Sequence, residues 1–184
     1  MFDLIKQINI KIFYFINANE QTSKFLITIF IFFASKLIFL LPILGIFFFI
    51  FEKKMLSLRK KKFIFQLFFS ILLGLIISSL IRFYYPTQRP FDSELNVYSI
   101  YHISSSSFPS NHALISYILT WNFFNINKNM GIFFFIITNL IGISRIFLGL
   151  HWPIDIVGSL FLSIFVFFLV NYFFKSIKKF FLKY

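Results

Sequence analysis

An all-α integral membrane protein is the fold class this chain predicts: a bundle of about five transmembrane helices with an N-terminal interfacial helix. Three observations lead there. Of 184 residues, 59% are hydrophobic and 33 are phenylalanine, well beyond the apolar share of a soluble domain. The apolar residues fall into runs near the roughly 20 residues that a helix needs to cross hydrocarbon. Lysines and arginines collect at the ends of those runs, as they do at membrane edges.

Residues 1–23 mix Asp3, Lys6 and Lys11 with apolar side chains, and no small-residue cleavage site follows a short apolar run. They read as an amphipathic interfacial helix and not as a secretory signal. Spans are then expected at 25–51, 63–83, 112–126, 131–149 and 154–174. The first is long and holds Lys36 and Pro42, so it is expected to tilt or kink. Lys36 either snorkels to the interface or reaches the polar site described below. The third and fourth spans are joined by the short turn at 127–131 and must be antiparallel neighbours. No linker or repeat divides the chain, so 1–184 is one domain. The phenylalanines are lipid-facing and packing bulk.

The chain has no cysteine, which excludes disulfides, thiolate nucleophiles and cysteine-ligated metals. Its net charge of +12 is not arranged for nucleic acid, because no basic face is interleaved with polar reading residues. The connections at 52–62 and 127–130 and the tail after 174 carry eleven Lys or Arg against Glu52 alone. The opposite face holds the N-terminal segment, the 84–111 loop and the turn at 150–153, with Asp3, Glu20, Asp92, Glu94 and Asp155. By the positive-inside rule the first face is cytoplasmic. The polar residues are therefore expected to face the outside.

Those residues gather at one depth on that face. Arg82 and Arg89 end the second span, His112 begins the third, Arg145 ends the fourth, and His151 and Asp155 open the fifth. Taken singly, an arginine near a span end usually snorkels, a lone histidine is usually structural, and Ser110-Asn111 before a helix is usually a cap. Those bland readings are poor for all of them together. Three arginines can cradle phosphate oxygens, and helix N-termini near Ser110 and Pro153 would add N–H donors. His151 and Asp155 lie one helical turn apart, so the carboxylate can hold one ring nitrogen and leave the other as a nucleophile. His112 is left as the acid for a departing oxygen. A metal site built from the histidines with Asp92, Glu94 and Asp155 is opposed by the three arginines, and no cofactor is expected. His102 reads as a loop residue.

Arg82 with Arg89-Pro90, then Pro109-Ser110-Asn111-His112, then Ser144-Arg145, His151 and Asp155 resemble the three-part signature of the type 2 phosphatidic acid phosphatase (PAP2) superfamily, within 82–155. The resemblance implies metal-independent phosphate hydrolysis through a phosphohistidine, with His151 attacking, Asp155 orienting it, His112 as the acid, and Arg82, Arg89, Ser110 and Arg145 holding phosphate. The chain departs from the motifs at Arg82, where lysine is usual, and at Asn111, where glycine is usual. The backbone N–H of Asn111 still counts among the phosphate donors, while its side chain narrows or polarises the pocket. Small bacterial members acting on undecaprenyl diphosphate look similar in size and often carry a polar residue there, and the resemblance to them implies a bacterial inner membrane with the site facing the periplasm or exterior. The function expected is therefore hydrolysis of a polyprenyl diphosphate; the alternatives are phosphatidic acid, phosphatidylglycerol phosphate or lipid A as substrate, a lipid phosphotransferase, or a non-catalytic transporter or assembly factor. Oligomeric state is not readable.

Overall fold

A computed structural model describes residues 2–51, 57–93, 97–99 and 105–181. Glu52, Lys53, Lys54, Glu94, His102 and Lys183, used in the charge and loop readings above, lie outside them. The described chain is helical: α1 (Phe2–Ile16), α2 (Lys24–Ile31), α3 (Leu37–Phe51), α4 (Ser57–Tyr84), α5 (Asn111–Phe124), α6 (Lys128–Phe147) and α7 (Pro153–Phe181). A π-helical turn at Phe32–Lys36 joins α2 to α3, so the first expected span is one helix with a widened turn in it. A 3-10 turn at Pro90–Asp92 follows α4.

Among the described residues, four helical stretches are long and apolar enough to cross a membrane: Lys24–Gly45, Lys61–Tyr84, Lys128–Phe147 and Pro153–Ser176. The third expected span is α5, with 14 residues; at 1.5 Å per residue it is about 21 Å long, short of a 30 Å hydrocarbon layer. It lies at the centre of the bundle, with Leu114, Tyr117, Ile118, Leu119 and Phe123 all buried. Every other spanning helix packs on it, so its short length matters little. Asn127 ends the α5–α6 turn by accepting bonds from the N–H groups of Asn129 and Met130. Gly131 then lets the helices touch, since a Cβ there would lie 2.7 Å from the Cα of Phe124.

The apolar core sits on the side of the bundle away from the motifs, where Leu41, Phe63, Phe123 and Phe134 pack and the last two rings stack at 4.2 Å. Phe65, Phe68, Phe161, Phe165 and Phe168 instead face outward. Between helices, polar pairs replace the water that lipid cannot supply: Thr120 with Thr138 at 2.9 Å, Trp121 with Ser163 at 2.9 Å, and Gln66 with Asn171 at 2.8 Å.

The end of the bundle that carries the motifs is organised by α1. Phe13 is fully buried with Ala113, Tyr117, Ile146 and Ile156, and its ring lies 4.8 Å from that of Trp152. Asn17 donates to the carbonyls of Tyr98 and Phe147, at 3.1 and 3.0 Å, and so closes the C-terminal end of α6. Asn9 accepts the Ile154 N–H at 2.9 Å, capping α7 from 145 residues away. Leu4, Ile8, Ile12 and Phe15 are exposed on another face of α1.

Candidate active site

His151 stands in the tight connection between α6 and α7. Gly149 makes that connection possible with φ of +71°, and a Cβ there would meet the Tyr98 carbonyl oxygen at 2.4 Å. His151 and Asp155 are each 1% exposed. The imidazole Nδ1 lies 3.2 Å from Asp155 Oδ2, the bond expected from their spacing of one turn. The same carboxylate oxygen accepts the Trp152 N–H at 2.8 Å and the Ser107 hydroxyl in a short bond. Two acceptors, Asp155 Oδ2 and Ser107 Oγ at 3.4 Å, thus face Nδ1. They favour the tautomer that keeps its proton there and leaves Nε2 with a lone pair. Burial pulls the pKa of His151 down to about 4; the Asp155 hydrogen bond opposes this, and Arg145 and Arg89 add to it.

Nε2 faces Arg89 Nη1 at 3.4 Å. That guanidinium is held on three sides: Nε donates to the Ser105 carbonyl at 3.0 Å, Nη2 to the Ser105 hydroxyl at 2.9 Å, and Nη1 to the Leu150 carbonyl at 2.9 Å. Burial lowers the pKa of Arg89, while Asp155 and Asp92 act in the opposite direction. Arg82, at the end of α4, donates Nη2 to the Pro109 carbonyl at 2.5 Å, and its Nε is buried without a hydrogen-bond partner among the described residues. Arg145, in the last turn of α6, sends Nη1 3.1 Å to the Ala34 carbonyl. Ala34 belongs to the π-helical turn, whose altered backbone bonding releases carbonyls from the regular ladder.

Ser110 is the N-cap residue of α5, with its side chain making no cap bond. Its Oγ is fully buried and has no partner among the described residues. The first intrahelical bond of α5 runs from Leu114 N–H to the Ser110 carbonyl. The N–H groups of Asn111, His112 and Ala113 therefore have no intrahelical acceptor, as at any helix start. Asn111 turns its Oδ1 to the hydroxyl of Ser78 on α4, at 2.6 Å. His112 is half-buried, and Arg145, His151, Arg89 and Arg82 are all near enough to act electrostatically on it.

The structure brings together Arg82, Arg89, Ser110, Asn111, His112, Arg145, His151 and Asp155. Two parts of the sequence expectation change. The N-terminus of α7 offers no spare donors, because Pro153 has none, Ile154 gives its N–H to Asn9 and Asp155 gives its own to Trp152. Asn111 spends its side-chain oxygen on α4. Among the described residues, Lys36 makes no hydrogen bond or ion pair with the site, and no three His, Asp or Glu side chains come together as a metal ligand set. The sequence reading passed over Ser105, Ser107 and Asn9. The run of four serines at 104–107 reads as a polar loop, and nothing in its composition says which hydroxyl turns inward.

A multi-pass membrane bundle with a buried His–Asp pair beside three arginines defines a class of membrane phosphatase. The PAP2 superfamily signature matches residues 63–179, and the chain belongs to that superfamily. It is 24% identical over 158 residues to YbjG of Escherichia coli (strain K12), provisionally named an undecaprenyl-diphosphatase, spanning 85% of this chain and 78% of that one. To the undecaprenyl-diphosphatase BcrC of Bacillus subtilis (strain 168) it is 35% identical over 96 residues, 52% of this chain and 50% of the relative. In fold it is similar to the crystal structure of Aquifex aeolicus LpxE, with a TM-score of 0.73 over 89% of this chain and 94% of that one, at 24% identity.

Proposed function

We propose that this chain hydrolyses a polyprenyl diphosphate of the undecaprenyl kind at the outer face of a bacterial inner membrane, through a phosphohistidine and without a metal. The observation that carries the chemistry is the His151 pair. Asp155 Oδ2 takes Nδ1 and leaves Nε2 pointing at the side of the site where Arg89 lies. The unpartnered Ser110 Oγ and Arg82 Nε, together with the free N–H groups opening α5, suit phosphate oxygens. The names of YbjG and BcrC support the choice of a polyprenyl diphosphate.

In the first step the Nε2 lone pair forms a bond to the terminal phosphorus as the bridging P–O bond breaks, and His112 gives its proton to the departing lipid phosphate oxygen. The charge of the bound phosphates lets His112 hold that proton amid the arginines. Asp155 stabilises the imidazolium side of the phosphohistidine. In the second step water attacks phosphorus, His112 takes the water proton, the N–P bond breaks and orthophosphate leaves. Arg82, Arg89 and Arg145 stabilise the equatorial oxygens in both steps.

The test is phosphate release by detergent-purified protein from undecaprenyl diphosphate, phosphatidic acid and phosphatidylglycerol phosphate, with excess EDTA present. Retained turnover with preference for the diphosphate is expected. Acid-labile phosphate trapped on the wild-type chain should vanish in His151→Asn. Turnover by His151→Asn, or loss with EDTA that Mg²⁺ restores, would overturn the mechanism. The orientation is checked by cysteines placed at Ser93 and Ser57: an impermeant thiol reagent on intact cells should label the first and spare the second.

A further inference from the structure

Asp155 Oδ2 accepts from three donors, and they are not equivalent. Trp152 N–H at 2.8 Å and His151 Nδ1 at 3.2 Å come from the same turn as the carboxylate. These two hold the turn together but do not fix its position relative to the rest of the protein. The Ser107 hydroxyl comes from another segment, 48 residues away, is fully buried, and makes the shortest of the three bonds.

The segment that carries Ser107 is itself fixed. Ser107 N–H donates to the Thr87 carbonyl at 2.9 Å, Phe108 N–H to the Thr87 hydroxyl at 2.8 Å, and Thr87 N–H to the Ser106 hydroxyl at 3.1 Å. Two residues before Ser107, Ser105 holds Arg89 through its carbonyl and its hydroxyl. A closed circuit results: Arg89 to Ser105, along the chain to Ser107, across to Asp155, to His151, and from Nε2 back to Arg89 at 3.4 Å. The separation between the nucleophilic nitrogen and an arginine that faces it is set by this circuit. Trp152 Nε1, donating to the Gln88 carbonyl at 3.0 Å, ties the backbone of the 151–155 turn to the segment before Arg89, and Ser107 is the member that ties the Asp155 carboxylate itself to the circuit.

We propose that Ser107 is a positioning residue of the reaction, clamping the Asp155 carboxylate, and through it the His151 ring, at a fixed place relative to Arg89. The inference rests on the assignment of His151 as nucleophile. A hydroxyl that holds a carboxylate orienting a histidine resembles the outer partners of histidines bound to metals, where such changes commonly cost about 10- to 100-fold in activity. Ser107 does not touch the phosphate in this reading, so its removal lowers turnover and leaves substrate binding nearly intact.

The experiment compares Ser107→Ala, Asp155→Asn and the double variant in kcat, KM and thermal stability, with Ser107→Thr as the conservative replacement and His151→Asn as the control. Expected for Ser107→Ala is a kcat about 10- to 100-fold lower with KM within about twofold, since the lost interaction acts on the chemical step. Ser107→Thr, which keeps the hydroxyl, should recover most of that loss. In the Asp155→Asn background the alanine change should cost less than about twofold, because two members of one unit are not additive. Ser107→Ala with wild-type kcat would overturn the proposal, and so would an equal fold-loss in both backgrounds. Turnover by His151→Asn would instead sink the nucleophile assignment beneath it, so the two failures are told apart by different variants.

Discussion

Arg82 and Arg89 carry the same charge into the same site, yet replacing each by lysine should have very different consequences. Arg89 uses its fork: Nε, Nη1 and Nη2 each hold a different acceptor, the Ser105 carbonyl, the Leu150 carbonyl and the Ser105 hydroxyl, at 2.9 to 3.0 Å. A lysine brings one nitrogen and cannot reproduce that planar arrangement. Arg89→Lys therefore drops at least two of the three bonds; losing the one to Leu150 strands a buried carbonyl, at about 1–3 kcal/mol, while Ser105 is exposed and water can replace what it loses. The charge also loses its fixed place opposite His151 Nε2. Removing a preorganised charge-stabilising group costs about 10²- to 10³-fold in rate, and a displaced ammonium should fall in that range.

Among the described residues Arg82 holds the protein through one bond, Nη2 to the Pro109 carbonyl at 2.5 Å, and its Nε has no hydrogen-bond partner. One ammonium can supply that bond and the charge. Arg82→Lys is expected to keep kcat/KM within about fivefold of wild type, a change of roughly 1 kcal/mol. The assay is initial-rate phosphate release by the two purified variants at matched detergent and lipid concentration, with thermal stability measured alongside. Equal losses in the two variants would refute the reasoning, as would an Arg89→Lys protein within threefold of wild type.

His151, with its pKa pulled down to about 4 by burial, stays neutral and nucleophilic as pH falls: at pH 5 roughly 90% of it is unprotonated, against about 3% for an ordinary histidine. The acid limb of kcat/KM due to this group should lie near pH 4, and ¹⁵N-histidine NMR of the free protein, with His151→Gln to assign the signal, should find no titration of His151 near pH 6.5. Gly149→Ala forces a side chain onto φ of +71° and 2.4 Å from the Tyr98 carbonyl oxygen; the left-handed conformation alone costs about 1–2 kcal/mol. Its displacement of Leu150 from Arg89 should lower kcat more than tenfold while the chain still folds, a loss of about 1.4 kcal/mol or more in activation free energy. Asn9→Ala removes the acceptor for Ile154 N–H and should lower stability by about 0.5–2 kcal/mol, read as a fall in Tm of a few degrees, whereas Asn9→Asp should retain it.

Much of this fold is legible because two periodicities coincide: the length of the apolar runs and the placement of polar residues at their ends. The spans, the turn at 127–131 and the gathering of Arg82, Arg89, His112, Arg145, His151 and Asp155 all follow from them. What cannot be read has a common physical cause. The π-helical turn lies inside the first apolar run, and neither Phe32 nor Lys36 carries a signal for it. Asn9 is one polar residue of an amphipathic helix until α7 is placed beside it. Ser107 is one serine in a run of four. In each case the functional partner comes from a distant part of the chain, and often it is a backbone group that any residue type supplies.

The backbone partners explain how the guanidiniums of Arg82 and Arg89 are oriented without being cancelled by the groups that orient them. Arg82 bonds the Pro109 carbonyl, and Arg89 bonds the carbonyls of Ser105 and Leu150 and the Ser105 hydroxyl. All of these acceptors are neutral. They orient the forks and satisfy buried N–H groups, but they remove no charge. Carboxylates in the same places would fix the geometry as well and would leave no field for a phosphate. Asp155 faces Ser107, Trp152 and His151 with its bonded oxygen, so the site's own carboxylate is spent on the nucleophile. The division of labour follows: neutral acceptors set where the charges of Arg82 and Arg89 stand, and the Asp155 carboxylate sets where the imidazole points.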